Sequence, residues 1–421
     1  MNQISPSVIE STRQWARIGI LSFGGPAAQI ALMHKVVVQE KNWLSEKQFL
    51  NALNFCMLLP GPEAMQLATY AGWRMHGTIG GLIAGGLFVL PGALVILLLA
   101  SLYTIFGGVP LVEAAFLGIK AAVLIIVLEA LLKVSKRALK GSISYAIALL
   151  AFIGIFFFAI PYPLIVLAAA LVGTLWLRQE AELETINNSA SPTSLVRTVL
   201  VWLLIWWMPI ALLWVSNADE ILFQIALFFS KLAVVTFGGA YAVLAYMAQD
   251  VVQAKGWLAP NEMVDGLGLA ETTPGPLILV TEFVGFLAAE KAGGFWLGLA
   301  GAITTLWVTF IPCFLWIFAG APFIDRLSAN SKLAAALSGI TAAIVGVILN
   351  LSIWFALNVL FKTLNTQTLG PAQFLLPDWL TLEWRAFALA LLSAVLILRL
   401  KWNIVSVLIL CALGGIALSY V

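Results

Sequence analysis

The chain of 421 residues is 62% hydrophobic and only 10% charged, with a formal net charge of +2. A soluble domain holds about a quarter charged residues, so this composition, with a mean hydropathy of +1.02, describes a membrane protein. The small net charge and the lack of a basic cluster with interleaved aromatics argue against nucleic-acid binding.

Apolar runs of 17 or more residues recur along the chain, each long enough to cross a bilayer core as a helix. They lack the alternation of a membrane barrel, so helices are the predicted spans. The first lies at about 13–33. Its polar approach, with Arg13 and Arg17, leads into a run interrupted by Gly-Gly-Pro and has no small-residue cleavage site. It reads as a membrane segment, not a signal peptide. Spans follow at about 49–73, 78–104, 111–132, 143–159 and 161–178. The polar stretch 179–197, with Glu180, Glu182, Glu184 and Asn187-Asn188-Ser189, reads as a linker. Seven more spans, at about 198–216, 221–248, 261–289, 293–320, 333–361, 384–399 and 402–421, bring the count to thirteen. Lys and Arg in short loops set the orientation. Placing Lys133, Lys136, Arg137 and Lys140 in the cytoplasm puts the N-terminus inside and the C-terminus outside. It also puts Arg74, Arg326, Lys332, Arg399 and Lys401 inside. Cys56, Cys313 and Cys411 lie in apolar sequence without paired spacing and read as buried small hydrophobes.

Two motifs occur twice. Phe23-Gly24-Gly25 recurs as Phe237-Gly238-Gly239, and Pro60-Gly61-Pro62 as Pro274-Gly275-Pro276, both at an offset of 214 residues. Sixteen of the forty positions from Phe23 to Pro62 are identical at that offset. A seven-residue insertion then shifts the offset to 221, pairing Pro91 with Pro312 and Gly118 with Gly339. The predicted architecture is an all-α polytopic membrane protein of two repeats with Gly/Pro-broken helices. Residues 1–178 form an N-terminal repeat, 179–220 a polar linker and an unpaired span, and 221–421 a C-terminal repeat. Six spans, one unpaired span and six more make the repeats face opposite ways, the inverted arrangement that underlies alternating access. Re-entrant hairpins at the repeated motifs are the alternative; they lower the number of crossings yet can keep the inversion.

In Ser22-Phe-Gly-Gly-Pro26 two glycines and a proline sit well inside an apolar run. The helix should break there, with Pro26 suited to the first position of a new helix. Pro60-Gly61-Pro62 does the same in the second span. The N–H groups past each break lack carbonyl partners and carry the positive end of the helix dipole. Four such ends near mid-membrane make an anion site. Gly and Pro also serve simply to kink helices or let them pack closely, which is the competing account.

Charges inside the spans each cost roughly 3 kcal/mol at mid-bilayer unless paired or hydrated. Lys120 lies near the centre of the fourth span and its repeat partner is Thr341. It is a candidate fixed charge for an anion, or half of a structural pair with a glutamate such as Glu282. Glu63 follows Pro62 at a helix start, where it can serve as a cap. Arg74 lines an inner vestibule or snorkels. Glu271 and Glu282 flank the second Pro-Gly-Pro, opposite Met57 and Ala68 in the first repeat, and Thr272, Thr273 and Thr281 add hydroxyls there. The first half thus brings cations and the second brings acids. A buried acid can carry a proton, which makes Glu271 and Glu282 the candidates for proton coupling.

At these residues the chain resembles the chromate ion transporter family. The likeness lies in Ser22-Phe-Gly-Gly-Pro-Ala-Ala-Gln-Ile-Ala-Leu-Met33, Leu59-Pro-Gly-Pro-Glu-Ala-Met-Gln-Leu-Ala-Thr-Tyr-Ala-Gly-Trp-Arg74 and Thr273-Pro-Gly-Pro-Leu-Ile-Leu-Val-Thr-Glu-Phe-Val-Gly285. The resemblance implies a long, two-domain member that exports chromate from the cytoplasm through the inner membrane. It implies functional roles for Gly24, Gly25, Gly238, Gly239, the two Pro-Gly-Pro turns with Gly61 and Gly275, and for Glu63, Arg74 and Lys120. Glu63 and Arg74 have no charged counterparts at Leu277 and Ala288. No Walker-type loop is present, so a proton or counter-anion gradient is the expected energy source. No cofactor or metal is expected, and the lipid bilayer is the surrounding medium. Sulfate, a near-isosteric dianion, is the alternative substrate. An intramembrane enzyme is the remote alternative, with His34 and His76 as the only histidines and no metal motif. Small-residue stretches such as Gly80-Gly81-Leu-Ile-Ala-Gly85-Gly86 can pack helices within a subunit or across a homodimer.

Overall fold

The computed structural model describes residues 6–177, 192–216, 219–237, 240–324 and 331–420. Helix α1 (Val8–Leu21) opens on Ser7, whose hydroxyl accepts from the Glu10 N–H. It breaks at the glycines, and α2 (Gly25–His34) continues into a widened π turn, Lys35–Glu40. Helix α3 (Glu46–Leu58) starts on a capping box, in which Ser45 and Gln48 bond each other's backbone N–H groups. Helix α4 (Glu63–Phe106) has 44 residues; straight, it would run about 66 Å, twice a bilayer core. It folds in two at His76–Gly77, where Gly77 takes φ 63. The two arms touch: a Cβ on Gly72 would strike the Gly80 carbonyl oxygen, and one on Gly80 the Gly72 carbonyl oxygen.

The second half repeats these elements in order. Helix α9 (Glu220–Val235) is followed by α10 (Ala240–Ala248), which again ends in a π turn, Gln249–Ala254. Then come α11 (Pro260–Thr272), a short 3-10 turn, Leu277–Leu279, and the helices α12 (Val280–Gly293) and α13 (Phe295–Gly320). The two π turns fall at the 214-residue offset, and so do Asn42 and Gly256, both at positive φ (50 and 62). Helices α12 and α13 form the matching hairpin, with Gly285 against Gly301 where α4 has Gly72 against Gly80. The seven-residue insertion is divided between its arms. Gly77 lies fifteen residues after Pro62, but Gly294 lies eighteen after Pro276. Pro91 lies fourteen after Gly77, but Pro312 eighteen after Gly294. About one helical turn is added to each arm, which keeps the same faces in contact.

The remaining helices are α5 (Pro110–Ala138), α6 (Ser142–Phe158), α7 (Tyr162–Trp176), α8 (Pro192–Val215), α14 (Ser331–Leu360), α15 (Trp384–Ala394) and α16 (Ile404–Ser419). Among the described residues five helical stretches are long and apolar enough to cross a membrane: Glu63–Phe106, Pro110–Ala138, Leu195–Val215, Phe295–Phe323 and Ser331–Leu360. Shorter apolar helices, Ser142–Phe158, Tyr162–Trp176 and Ile404–Ser419, accompany them. Between α14 and α15, in the stretch between the predicted spans 333–361 and 384–399, lies an antiparallel hairpin of β1 (Leu364–Leu369) and β2 (Ala372–Pro377). Its two-residue connection starts with Gly370 at φ 61, as primed hairpin turns require.

The chain divides into two compact units, each drawing segments from both repeats. The first comprises Met1–Ser101, Glu180–Ala240 and Thr273–Ala334. Its interior holds Trp15, Phe49, Phe55, Phe88, Phe229, Phe283 and Phe286, while Leu200, Leu204, Leu212 and Trp214 of α8 face outward. The second comprises Leu102–Gln179, Tyr241–Thr272 and Ala335–Val421. Tyr162 and Tyr246 stack inside it with ring centroids 5.2 Å apart, and Leu149, Leu150, Leu167, Leu171 and Leu175 are exposed. Outward leucine rows of this extent suit contact with lipid, not water. The linker residues Glu180, Glu182, Glu184 and Asn187–Ser189 lie outside the described residues, as does Arg326.

Candidate functional site

In the first unit the repeated breaks meet. Helix α1 stops at Ser22, whose hydroxyl donates back to the Ile18 carbonyl; the Phe23 N–H then turns to the Leu21 carbonyl (2.9 Å). Thr236 and Phe237 do the same with Leu232 and Val235 at the end of α9. Gly24 and Gly25 take φ 86 and 77, so α2 starts from a left-handed turn with Pro26 in its first turn. A Cβ at Gly25 would meet nothing within 4 Å. The corresponding Gly238 and Gly239 lie outside the described residues.

The Pro-Gly-Pro turns are buried and are engaged with the opposite repeat. The Gly61 N–H donates to the Thr236 carbonyl and the Gly275 N–H to the Ser22 carbonyl, each at 2.8 Å. These residues correspond pairwise at the 214-residue offset. A second exchange accompanies the first. A Cβ on Gly61 would lie 3.0 Å from Cys313 Sγ, and one on Gly275 3.4 Å from the Gly92 Cα; Gly92 and Cys313 are themselves partners at the 221-residue offset. Two glutamines missed in the sequence reading lock the turns. Gln29 Nε2 donates to the Gly275 carbonyl (2.6 Å), and Gln66 Nε2 to the Pro60 carbonyl (2.6 Å). Both side chains are buried, and the Oε1 atom of each has no partner among the described residues. An amide inside an apolar run was the available signal.

In the second unit Lys120 forms an ion pair that sequence did not foresee. Its Nζ lies 3.0 Å from Asp265 Oδ1, so its internal partner is Asp265 of α11, where the structural-pair reading had named a glutamate such as Glu282. Tyr103, on the last turn of α4, donates from Oη to Asp265 Oδ2 (2.8 Å). Asp265 is 7% exposed at its side chain and Lys120 18%. Lys120 lines two cavities. One of about 620 Å³ also has Lys362, Glu383, Asn261 and Asn358 on its wall. The other, about 530 Å³, has Tyr103, Glu113, Asp265 and Arg385. Glu383, just ahead of α15, receives Arg385 Nε at 2.8 Å and Lys362 Nζ at 3.1 Å. The Arg385 hydrogen bond first, then Lys362, holds its carboxyl below the usual range.

The other expected residues are distributed as follows. Glu63 is half-buried at the first residue of α4, and Arg74 is exposed two residues before its bend. Thr273 is buried immediately before the second Pro-Gly-Pro, and Thr281 donates to the Ile278 carbonyl. Glu271 is buried and accepts from Tyr241 Oη at 3.0 Å. Glu282 is 1% exposed, and its Oε2 has no partner among the described residues. Of the small-residue stretch, Gly80, Gly81 and Gly85 pack within the unit against Gly72, Phe318 and Thr69, while Gly86 has nothing within 4 Å of an added Cβ. Among the described residues no three His, Cys, Asp or Glu side chains are grouped to hold a metal.

The model of the chromate transporter family matches residues 9–174 and 223–416. The chain is 31% identical over 350 residues to a probable chromate transport protein of Synechococcus elongatus, covering 81% of this chain and 83% of that one. It is 34% identical over 345 residues to the chromate transport protein of Pseudomonas aeruginosa (80% and 78% covered). It is 31% identical over 345 residues to that of Cupriavidus metallidurans (79% and 78%). No solved structure matches. The chain belongs to the chromate transporter family.

Proposed function

We propose that this member of the chromate transporter family is a secondary transporter that carries chromate out of the cytoplasm across the inner (plasma) membrane, by alternating access between two inverted repeats. The observation that carries the reading is the exchanged pair of hydrogen bonds, Gly61 to Thr236 and Gly275 to Ser22. Reciprocal contacts of this form arise when two like bodies are related by a twofold axis. When that axis lies in the membrane plane, exchanging the conformations of the two halves turns an inward-facing state into an outward-facing one.

The chemistry divides between the two units. In the first, the N–H groups of Gly61 and Gly275 are engaged by carbonyls, so these turns fasten the repeats together. The backbone donors assigned to the anion are then the first-turn N–H groups of α2 after Gly24 and Gly25, and the sequence repeat makes those after Gly238 and Gly239 their counterpart. In the second, Lys120 supplies the fixed positive charge for a dianion entering its cavities. Glu63 caps α4 against the helix dipole, Arg74 serves the vestibule, and Thr273 steadies the second turn. Glu271 and Glu282 are the carboxyls available for proton coupling. Chromate comes to this chain from its relatives; the dianion chemistry alone fits sulfate as well.

Radiolabelled chromate flux in proteoliposomes of known orientation, under separately imposed proton and sulfate gradients, tests the reading. Chromate movement out of the cytoplasmic side that responds to an imposed proton or counter-anion gradient is expected. Transport of sulfate with no chromate movement would contradict it.

A further inference from the structure

We infer that Asp265 is a built-in competitor of the transported anion for Lys120, and that the anion binds there only as Asp265 takes up a proton. The inference rests on the reading of Lys120 as the substrate cation. The geometry is a three-residue cluster: Lys120 Nζ lies 3.0 Å from Asp265 Oδ1, and Tyr103 Oη donates to Oδ2 at 2.8 Å. The ammonium faces two cavities, of about 620 and 530 Å³, each roomy enough for a tetrahedral oxyanion. A ligand in either cavity can therefore reach Lys120, whose ammonium Asp265, on the wall of the smaller cavity, already holds.

A buried ion pair is tolerated because each charge compensates the other, and breaking it from one side leaves the second charge uncompensated. A dianion that draws Lys120 towards the cavity leaves Asp265 with a phenol as its remaining partner. The other charged or titratable groups around this carboxyl are Glu113 of α5 and Arg385 of α15 on the same cavity wall, and Glu262 one turn earlier on α11. Arg385 is committed to Glu383, and Glu113 and Glu262 are themselves acids. Lys362, on the wall of the larger cavity, is likewise paired with Glu383, so among the described residues a proton is the species that restores neutrality. In charge terms one dianion and one proton arrive together, and the Lys120–Asp265 pair becomes a Lys120–anion pair beside a neutral carboxylic acid. The arrangement is specific to one repeat: the residues matching Lys120 and Asp265 are Thr341 and Asn51.

The test is titration calorimetry of chromate onto the purified full-length protein, at alkaline pH where chromate is the dianion, in two buffers of different ionisation enthalpy. Wild-type protein should take up about one proton per anion, and its affinity should weaken about tenfold per pH unit, the slope of a one-proton linkage. Asp265→Asn keeps the shape and an acceptor for Tyr103; it should bind chromate at least as tightly, with no proton uptake and no pH slope. Lys120→Met should lose binding. Wild-type binding without proton uptake overturns the inference whatever the variants do. So does an Asp265→Asn protein that keeps the proton, or one that is folded but no longer binds. Full binding by Lys120→Met would instead overturn the reading of Lys120 on which the inference stands.

Discussion

Gly25 and Gly61 are both motif glycines at positive φ, but the space around them differs. A side chain at Gly25 meets nothing within 4 Å, so the obstacle is the backbone angle of 77° alone. At Gly61, with φ 112, it presses on Cys313 Sγ and Gln66 Nε2, each at 3.0 Å. Gly61→Ala is therefore expected to lose about 3 kcal/mol of stability from strain and overpacking together, and to melt well below Gly25→Val in detergent. Gly25→Val should stay folded and lose chromate flux, because its side chain covers the N–H groups of α2. The opposite order of melting would contradict this account. Glu282 offers a second residue-scale prediction. Its buried Oε2 has no partner among the described residues, so Glu282→Gln removes a carboxyl without breaking an ion pair at that atom. The variant should fold normally and respond less to an imposed pH gradient while anion-for-anion exchange persists; unchanged proton-driven flux would remove Glu282 from coupling. Sequence made these residues legible because charge in an apolar run is costly. The same rule applied evenly would have found Asp265, an acid inside the predicted span 261–289 with an uncharged counterpart at Asn51. Its place near polar residues at the head of the span hides that signal.

At the scale of elements, the helical hairpins were legible as paired apolar runs, but their close contacts were not. A single glycine does not announce which backbone it meets. Gly72 meets Gly80, and Gly285 meets Gly301. Replacing Gly72 or Gly301 with Leu should force the arms apart and cost about 3 kcal/mol or more, seen as reduced folded yield and a lower melting temperature; wild-type melting in both would contradict the packing. The β-hairpin escaped the sequence reading because its strands are six residues each and sit in a stretch expected to connect two spans. Its attachment depends on Glu383, whose backbone N–H donates to the Leu360 carbonyl while its side chain holds Lys362 and Arg385. Because the folded carboxyl titrates below its unfolded value, its contribution is complete at neutral pH. It is lost only as the pH falls through the lowered folded value. Hydrogen exchange of residues 364–377 should thus stay slow from neutral to mildly acidic pH and quicken in stronger acid. Glu383→Gln should quicken it already at neutral pH by about fivefold, equivalent to roughly 1 kcal/mol. Identical exchange in both proteins would show that the cluster does not hold the hairpin.

For the whole molecule, the duplicated sequence and the duplicated structure correspond down to the π turns and the two left-handed residues at 42 and 256. The repeat was visible without coordinates because identical breaks at one offset survive where the surrounding apolar residues interchange freely. What composition and periodicity did not reveal is that neither compact unit is a repeat: each is assembled from pieces of both. That interleaving is a tertiary property, and no local pattern encodes it. Inversion of the two halves is the premise on which alternating access depends, and one labelling experiment reaches it directly. Ser45 and Ala259 are exposed, lie at the 214-residue offset, and precede α3 and α11 in the same way. The native cysteines Cys56, Cys313 and Cys411 are buried, so single cysteines at 45 and 259 can be read in oriented vesicles with a membrane-impermeant thiol reagent. Labelling of Ser45→Cys from one side and of Ala259→Cys from the other is the expected result; labelling of both from the same side would contradict the inverted arrangement.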